Sequence, residues 1–341
     1  MTNKTENKSE YKKYIARKWI ALIILMAVLL GVGLLSLSVG SAGLPLRETL
    51  RALFGGGEAA SRAIIWNVRM PRIATALAVG IALAMSGCVM QNVLRNPLAS
   101  ASTLGIAQGA TFGAAIAIIY FESSVYTVPA FAFLGGISTT ALILLLSRLG
   151  GATPSVMILA GVALSAMFAG ATVLVQYFSD DVRIGSIVYW TFGNLGRTGW
   201  REIAAMFLLS AAAFIYFMLN RWNYNAMESG AHTAKSLGVN VDALLLAGMV
   251  VGTLISAVAI AFVGTINFIG LIAPHIVRRL VGNDYRFLVP CSALMGALIM
   301  LAADMLSRTL AAPAVLPIGA LTSFLGAPLF LYMIIKQGKI K

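Results

Sequence analysis

Apolar side chains fill this chain in runs of about twenty, separated by short breaks marked by charge, glycine or proline. A run of that length is what an α-helix needs to cross ~30 Å of hydrocarbon, and the ten-residue alternating strands of a membrane barrel are absent. Hydropathy and Gly/Pro punctuation predict spans near 19–39, 73–92, 102–121, 129–147, 155–178, 202–220, 243–264, 266–278, 288–307 and 315–335. The eighth is short and nearly continuous with the seventh, so nine spans plus one re-entrant helix is the alternative to ten. The run from Trp19 to Val39 follows basic residues, as a signal peptide would. It is too long for one and lacks a small-residue cleavage site, so it is read as a retained span. The expected fold class is an all-α polytopic membrane protein of about ten transmembrane helices: a tail over 1–18, a single membrane domain over 19–335 and a second tail over 336–341.

Composition narrows the class further. With 59% hydrophobic and 11% charged side chains over 341 residues, and a mean hydropathy of +0.88, a soluble domain is excluded. The net charge of +13 would suit nucleic acid, so its placement matters. Lys4, Lys8, Lys12, Lys13, Arg17 and Lys18 precede the first run, and Lys336, Lys339 and Lys341 follow the last. By the positive-inside rule both termini are then cytoplasmic. In that orientation 16 of the 25 basic residues lie on cytoplasmic segments and 9 on external ones, while Glu122, Asp180 and Asp181 fall outside. The charge is explained by the lipid bilayer, with no nucleic-acid partner.

Two connections are long, the external one over 40–70 and the internal one over 221–242, and the others read as tight. Gly105, Gly109 and Gly113 recur every four residues, as do Gly248 and Gly252, which suits close helix packing, with backbone lining a path as the alternative for the first row. Cys88 and Cys291 sit in apolar segments without ligand spacing and read as buried packing residues. No Gly-x4-Gly-Lys-Ser/Thr phosphate loop, HExxH, GxSxG or zinc-type cysteine pair occurs, and the two histidines, His232 and His275, lie in different segments. An enzyme has no residue constellation here, no metal site is expected, and any ATP that powers transport must bind another polypeptide.

Four stretches carry a family resemblance. The first is Arg69-Met-Pro-Arg72 with Ser86-Gly87, Gln91-Asn92-Val-Leu-Arg95-Asn96-Pro97-Leu98-Ala99 and Leu104-Gly105-Ile-Ala-Gln-Gly109-Ala110. Next come Tyr189-Trp190-Thr-Phe-Gly193 and Phe268-Ile-Gly-Leu-Ile-Ala-Pro274-His275-Ile-Val-Arg278, then Ala303-Asp304-Met-Leu-Ser-Arg308 with Leu316-Pro317-Ile-Gly319 and Gly326-Ala-Pro328. From about residue 60 to the end, the chain resembles the FecCD-type permeases, which serve iron-siderophores, haem and vitamin B12. The resemblance implies the type II ABC importer permease fold, with ten helices per subunit in the prokaryotic cytoplasmic membrane. It also implies a second permease copy, most simply in a homodimer, two cytoplasmic ATP-binding subunits that carry ATP and Mg, and an external substrate-binding protein. The chain itself would hold no cofactor and form no covalent bond.

Site residues follow from the same motifs. Arg69, Arg72 and Arg308 fall at external span ends, where guanidinium forks suit carboxylates. The resemblance makes them docking residues for glutamates of the binding protein, the plainer reading being headgroup anchoring or pairing, such as Arg308 with Asp304. Glu228, Ala234, Leu237, Gly238 and Val239 lie on a short helical pattern ending at glycine, which resembles the coupling segment that enters a cleft of the ATPase, against a merely solvated connector. Asn96, Pro97 and Leu98, with Thr153 and Pro154, sit at cytoplasmic span ends and are gate candidates, helix termination being the alternative. Pro274 should kink or end the eighth segment. His232 and His275 read as a solvated and an interfacial residue.

Gln108, Gln176 and Thr322 would offer sparse polar contacts along the path, and Met157 and Met167 adaptable apolar ones. Alternating access driven by ATP is the expected mechanism, with a ferric siderophore ranked ahead of haem and cobalamin as cargo. An ion-coupled carrier is the runner-up, and it would place paired acids near mid-membrane.

Overall fold

A computed structural model describes residues 2–39, 44–121, 124, 126–151 and 153–338. Glu122, the start of the 40–70 connection and the last three residues of the expected C-terminal tail lie outside the described residues. Within them are fifteen α-helices and no strand: α1 (Thr2–Ser38), α2 (Leu46–Leu53), α3 (Ala59–Ile64), α4 (Met70–Val93), α5 (Ile106–Tyr120), α6 (Thr127–Leu149), α7 (Pro154–Tyr177), α8 (Asp181–Thr191), α9 (Trp200–Leu219), α10 (Arg221–Glu228), α11 (Ala231–Ser236), α12 (Val241–Val263), α13 (Ile269–Val281), α14 (Tyr285–Thr309) and α15 (Ile318–Gly338). A single π-helical turn, Ile65–Arg69, joins α3 to α4.

Seven of these helical stretches are long and apolar enough to cross a membrane: 10–38, 59–93, 127–149, 154–177, 200–219, 241–263 and 285–309. The other three expected spans carry shorter helices, Ile106–Tyr120, the apolar part of α15 at Ile318–Tyr332, and α13.

Several connections are more structured than the apolar pattern implies. The segment expected as an N-terminal tail is helical from Thr2, continuous with the first span. The 40–70 connection contains α2, α3 and the π turn, and 179–201 contains α8. Hydropathy passes over α2 because it is amphipathic and polar on one side: Thr49 and Ala52 are buried while Arg47 and Arg51 are exposed.

The centre of the bundle is α4, 83% of whose apolar window is buried. Small residues allow its neighbours to approach that closely. A Cβ on Gly80 would lie 2.4 Å from the Gly296 carbonyl oxygen on α14, and one on Gly87 would lie 1.9 Å from that of Gly270 on α13. Helices α4, α13 and α14 therefore meet backbone to backbone. The Gly105 row serves packing in the same way, since a Cβ on Gly109 would lie 2.4 Å from the Gly135 oxygen on α6.

Pro274 neither ends nor breaks α13, which is helical through it. A proline withholds one N–H, and the carbonyl it would have served is that of Gly270. The Gln91 side-chain amide donates to that oxygen at 3.2 Å from α4. A neighbouring side chain thus satisfies the freed acceptor inside the bundle. The true interruption falls earlier, over 264–268, between α12 and α13.

Candidate functional site

The unwound residues 264–268 are tied down on two sides. Thr265 Oγ1 donates to the Thr191 carbonyl at 2.6 Å, Asn194 N donates to the Val263 carbonyl at 2.8 Å, and Gly319 N donates to the Phe192 carbonyl at 2.9 Å. The end of α8, the helix break and the start of α15 form one knot, which turns Thr265 and Asn267 toward α5 and α7. There they line a cavity of about 290 Å³ with Gln108, Thr111, Thr172, Gln176 and Thr191. Irregular backbone at helix depth is stable where it borders such a cavity. The lining holds amides and hydroxyls and no charged side chain.

Of the five residues expected on a path, this cavity brings together Gln108 and Gln176. Met157 is buried elsewhere and Met167 is half exposed on α7. Thr322 borders a separate apolar cavity with Phe268 and Leu325, its hydroxyl donating to the Gly319 carbonyl at 3.1 Å. The threonines and Asn267 escaped the hydropathy reading because isolated hydroxyls barely alter an apolar run. The Gly264 break beside Thr265 and Asn267 was the signal available.

At one end of the bundle two of the three expected arginines, Arg69 and Arg308, reach the close of α1, and Arg72 joins Arg308 at Asp304. The π turn adds a residue to the helix and rotates Arg69 inward, where its guanidinium donates to the Leu37 carbonyl and only 4% of the residue is exposed. Arg308 donates to Ser36 Oγ at 2.7 Å and to the Val39 carbonyl at 2.8 Å. Asp304, fully buried, lies 2.7 Å from Arg72 Nε and 2.9 Å from Arg308 Nε. Guanidinium charge also suits the exposed carbonyls at a helix C-terminus. Arg69 and Arg308 are thus buried and occupied, and Arg72 is the most open of the three. The four-residue spacing of Asp304 and Arg308 was readable; the link to Arg72 across 232 positions was not.

At the opposite end, α10 and α11 replace the expected 221–242 loop. Helix α11 closes in a Schellman motif, with Gly238 N donating to Lys235 O and Val239 N to Ala234 O, both at 3.0 Å. Gly238 has φ +85°, which glycine adopts without strain. Ala234 is buried under this turn, Leu237 is exposed and so is His232. Glu228 keeps one side open to solvent and reaches across to α4 and the 283–285 turn. It accepts from Asn92 at 3.1 Å, Tyr285 at 3.2 Å and Asn283 at 3.1 Å.

The gate candidates are built as helix ends. Asn96 Oδ1 accepts from Leu98 N at 2.8 Å in a tight side-chain turn, and Pro97 and Leu98 are exposed. Thr153 caps α7 by accepting from Val156 N at 3.4 Å, with Pro154 at the first helical position. Among the described residues no cluster of three or more His, Cys, Asp or Glu side chains could hold a metal ion.

Comparison with known proteins places this architecture. Residues 25–336 match the FecCD transport family. An ABC transporter permease protein of Methanocaldococcus jannaschii is 49% identical, with 97% of this chain and 98% of that protein covered. The hemin transport system permease HmuU of Yersinia pestis is 37% identical over 89% of this chain and 93% of its own. Among solved structures, a metal-chelate type ABC transporter in an inward-facing conformation superposes with a TM-score of 0.83 at 33% identity, covering 92% of this chain and 98% of that one. The protein is an ABC permease, a membrane-spanning transport subunit whose ATP hydrolysis resides in partner subunits. It belongs to the FecCD transport family.

Proposed function

We propose that this permease moves a ferric siderophore across the prokaryotic cytoplasmic membrane by alternating access, in a complex of two permease copies, two ATP-binding subunits and an external binding protein. The observation that carries the choice of cargo is the uncharged cavity bordered by Gln108, Thr111, Thr172, Gln176 and Asn267. Amides and hydroxyls hydrogen-bond the oxygen-rich shell of a chelate without holding it by charge, which suits a path that must release its cargo. Haem, the cargo named for the Yersinia pestis permease, is the second reading. Cobalamin is third.

Ten crossings with both termini inside put α10 and α11 in the cytoplasm. There Ala234, Leu237, Gly238 and Val239 meet the ATPase, and the 96–98 and 153–154 turns flank the inner mouth. Docking falls to Arg72 at the outer rim, with Arg69 and Arg308 framing it while they hold α1. The runner-up, an ion-coupled carrier, lacks an acid in the cavity.

The test is ATP-driven uptake into proteoliposomes holding the permease, its ATPase and its binding protein. Ferric trihydroxamate, haem and cobalamin are compared, with Gln108→Leu/Gln176→Leu and Arg72→Glu variants. Siderophore uptake that falls in the first variant, and loses binding-protein dependence in the second, is expected. ATP-independent uptake would overturn the importer mechanism, and haem as sole cargo would overturn the substrate.

A further inference from the structure

Three side chains donate to Glu228 and none accepts from it. Asn92 belongs to α4, Asn283 to the turn between α13 and α14, and Tyr285 to the first residue of α14. Only a carboxylate is acceptor on both oxygens, so it alone satisfies all three. The same turn grips α10 a second time, three residues earlier on one helix face. Asn225 Oδ1 accepts from Tyr285 N at 2.8 Å, and Asn225 Nδ2 donates to Asp284 Oδ1 at 3.2 Å. Asn92 uses its other hydrogen on the Tyr224 carbonyl of α10 at 3.1 Å. Tyr285 is fully buried and Asn92 is 3% exposed, so the clasp is shielded on its inner side, while Glu228 and Asn283 face water on the outer one.

We infer that Glu228 is a positioning residue that ties α10, and with it α11, to the 283–285 turn, so that a displacement of α11 moves α4, α13 and α14 as one body. The inference rests on the coupling role proposed above for α11. Its mechanical basis is the backbone contact of Gly80 with Gly296 and Gly87 with Gly270, which leaves those three helices no room to slide independently. Force entering at α11 reaches Asn92, four residues before the Asn96 turn, and travels along α14 to Asp304 and Arg308.

The experiment uses the whole transporter in nanodiscs, spin-labelled at Leu310→Cys on both permease copies, with the distance read by pulsed electron resonance with and without a Mg–ATP analogue. Wild type shows a nucleotide-dependent distance change. In Glu228→Gln and in Tyr285→Phe the change persists in about tenfold fewer complexes, the effect of one hydrogen bond to a charged group. Complex mass and nucleotide binding stay intact. The double variant should equal the worse single one, since both break the same link. Variants that respond like wild type overturn the inference, and so does collapse of the complex in both, which would make the clasp structural only. The exposed Asn283→Ala, which removes one of the three donors, must then also leave the response unchanged. A wild-type distance blind to nucleotide would instead overturn the importer reading itself.

Discussion

Replacing Asp304 by alanine should destabilise the permease by about 3 kcal/mol. Breaking a buried ion pair from one side costs about 3–5 kcal/mol, because the remaining charge is left in a dry place. Asp304 is fully buried and faces two guanidinium groups, so the loss strands both. Two features hold the cost to the low end of that range. The Arg72 side chain retains 15% exposure and can turn toward water, and Arg308 keeps Ser36 and the Val39 carbonyl. At about 2 °C per kcal/mol, the low end suited to a long chain, the midpoint should fall by about 6 °C. Cys88 and Cys291 are free and fully buried, so a thiol-reactive dye in detergent reports the transition directly. Arg72→Met should be less harmful in the Asp304→Ala background than in wild type. A shift below about 2 °C, or strictly additive variants, would mean that the pair contributes little beyond a solvent-exposed one.

Gly87→Val should abolish a monodisperse product on size exclusion, since even a Cβ there would lie 1.9 Å from the Gly270 oxygen, whereas Gly170→Ala on α7, with open space around it, should behave as wild type. Gln91→Leu should cost about 1–3 kcal/mol by leaving the Gly270 carbonyl bare, and Pro274→Ala, which restores the helical N–H, should recover most of it in thermal unfolding. Burial pushes the Asp284 carboxyl up, but hydrogen bonds from Arg286 and then Asn225, with the Arg286 charge, hold it down at about 2. A carboxyl held below its unfolded value stabilises above that value, so its contribution is full near neutral pH and disappears as pH falls from about 4 to 2. Comparing unfolding of wild type and Asp284→Asn across that window should show the difference vanish at the acid end.

Long apolar runs located the bundle because hydrocarbon imposes a minimum length on whatever crosses it. Short helices α2, α8 and α10 were invisible to the same reasoning, since they satisfy no such length and are half polar. The glycine spacing correctly pointed to close packing, yet the partners of Gly80 and Gly87 lie near 296 and 270, contacts that no local pattern encodes. At the candidate site, Gln108 and Gln176 stood out as amides in apolar surroundings, while Thr265 and Asn267 acquire their place only through the helix break. The arginines were legible as charges at span ends; that Arg69 and Arg308 turn inward to the last carbonyls of α1 depends on the π turn and on where α1 stops. Glu228 was visible as an acid on a loop, and its three donors come from segments up to 136 positions away.

The contact between Gln91 and Gly270 also has a bearing on biosynthesis. A ribosome finishes α4 at Val93 and must add 175 residues before α13 begins at Ile269. At about 5–20 residues per second that is a wait of roughly 9–35 s. During it, the most deeply interior helix of the finished protein carries an unmatched amide, a bare glycine face and, in Arg72, a guanidinium with no Asp304 to meet it. Such a helix is poorly suited to free release into lipid, and the insertion machinery or the helices already made must shelter it until the C-terminal third of the chain arrives.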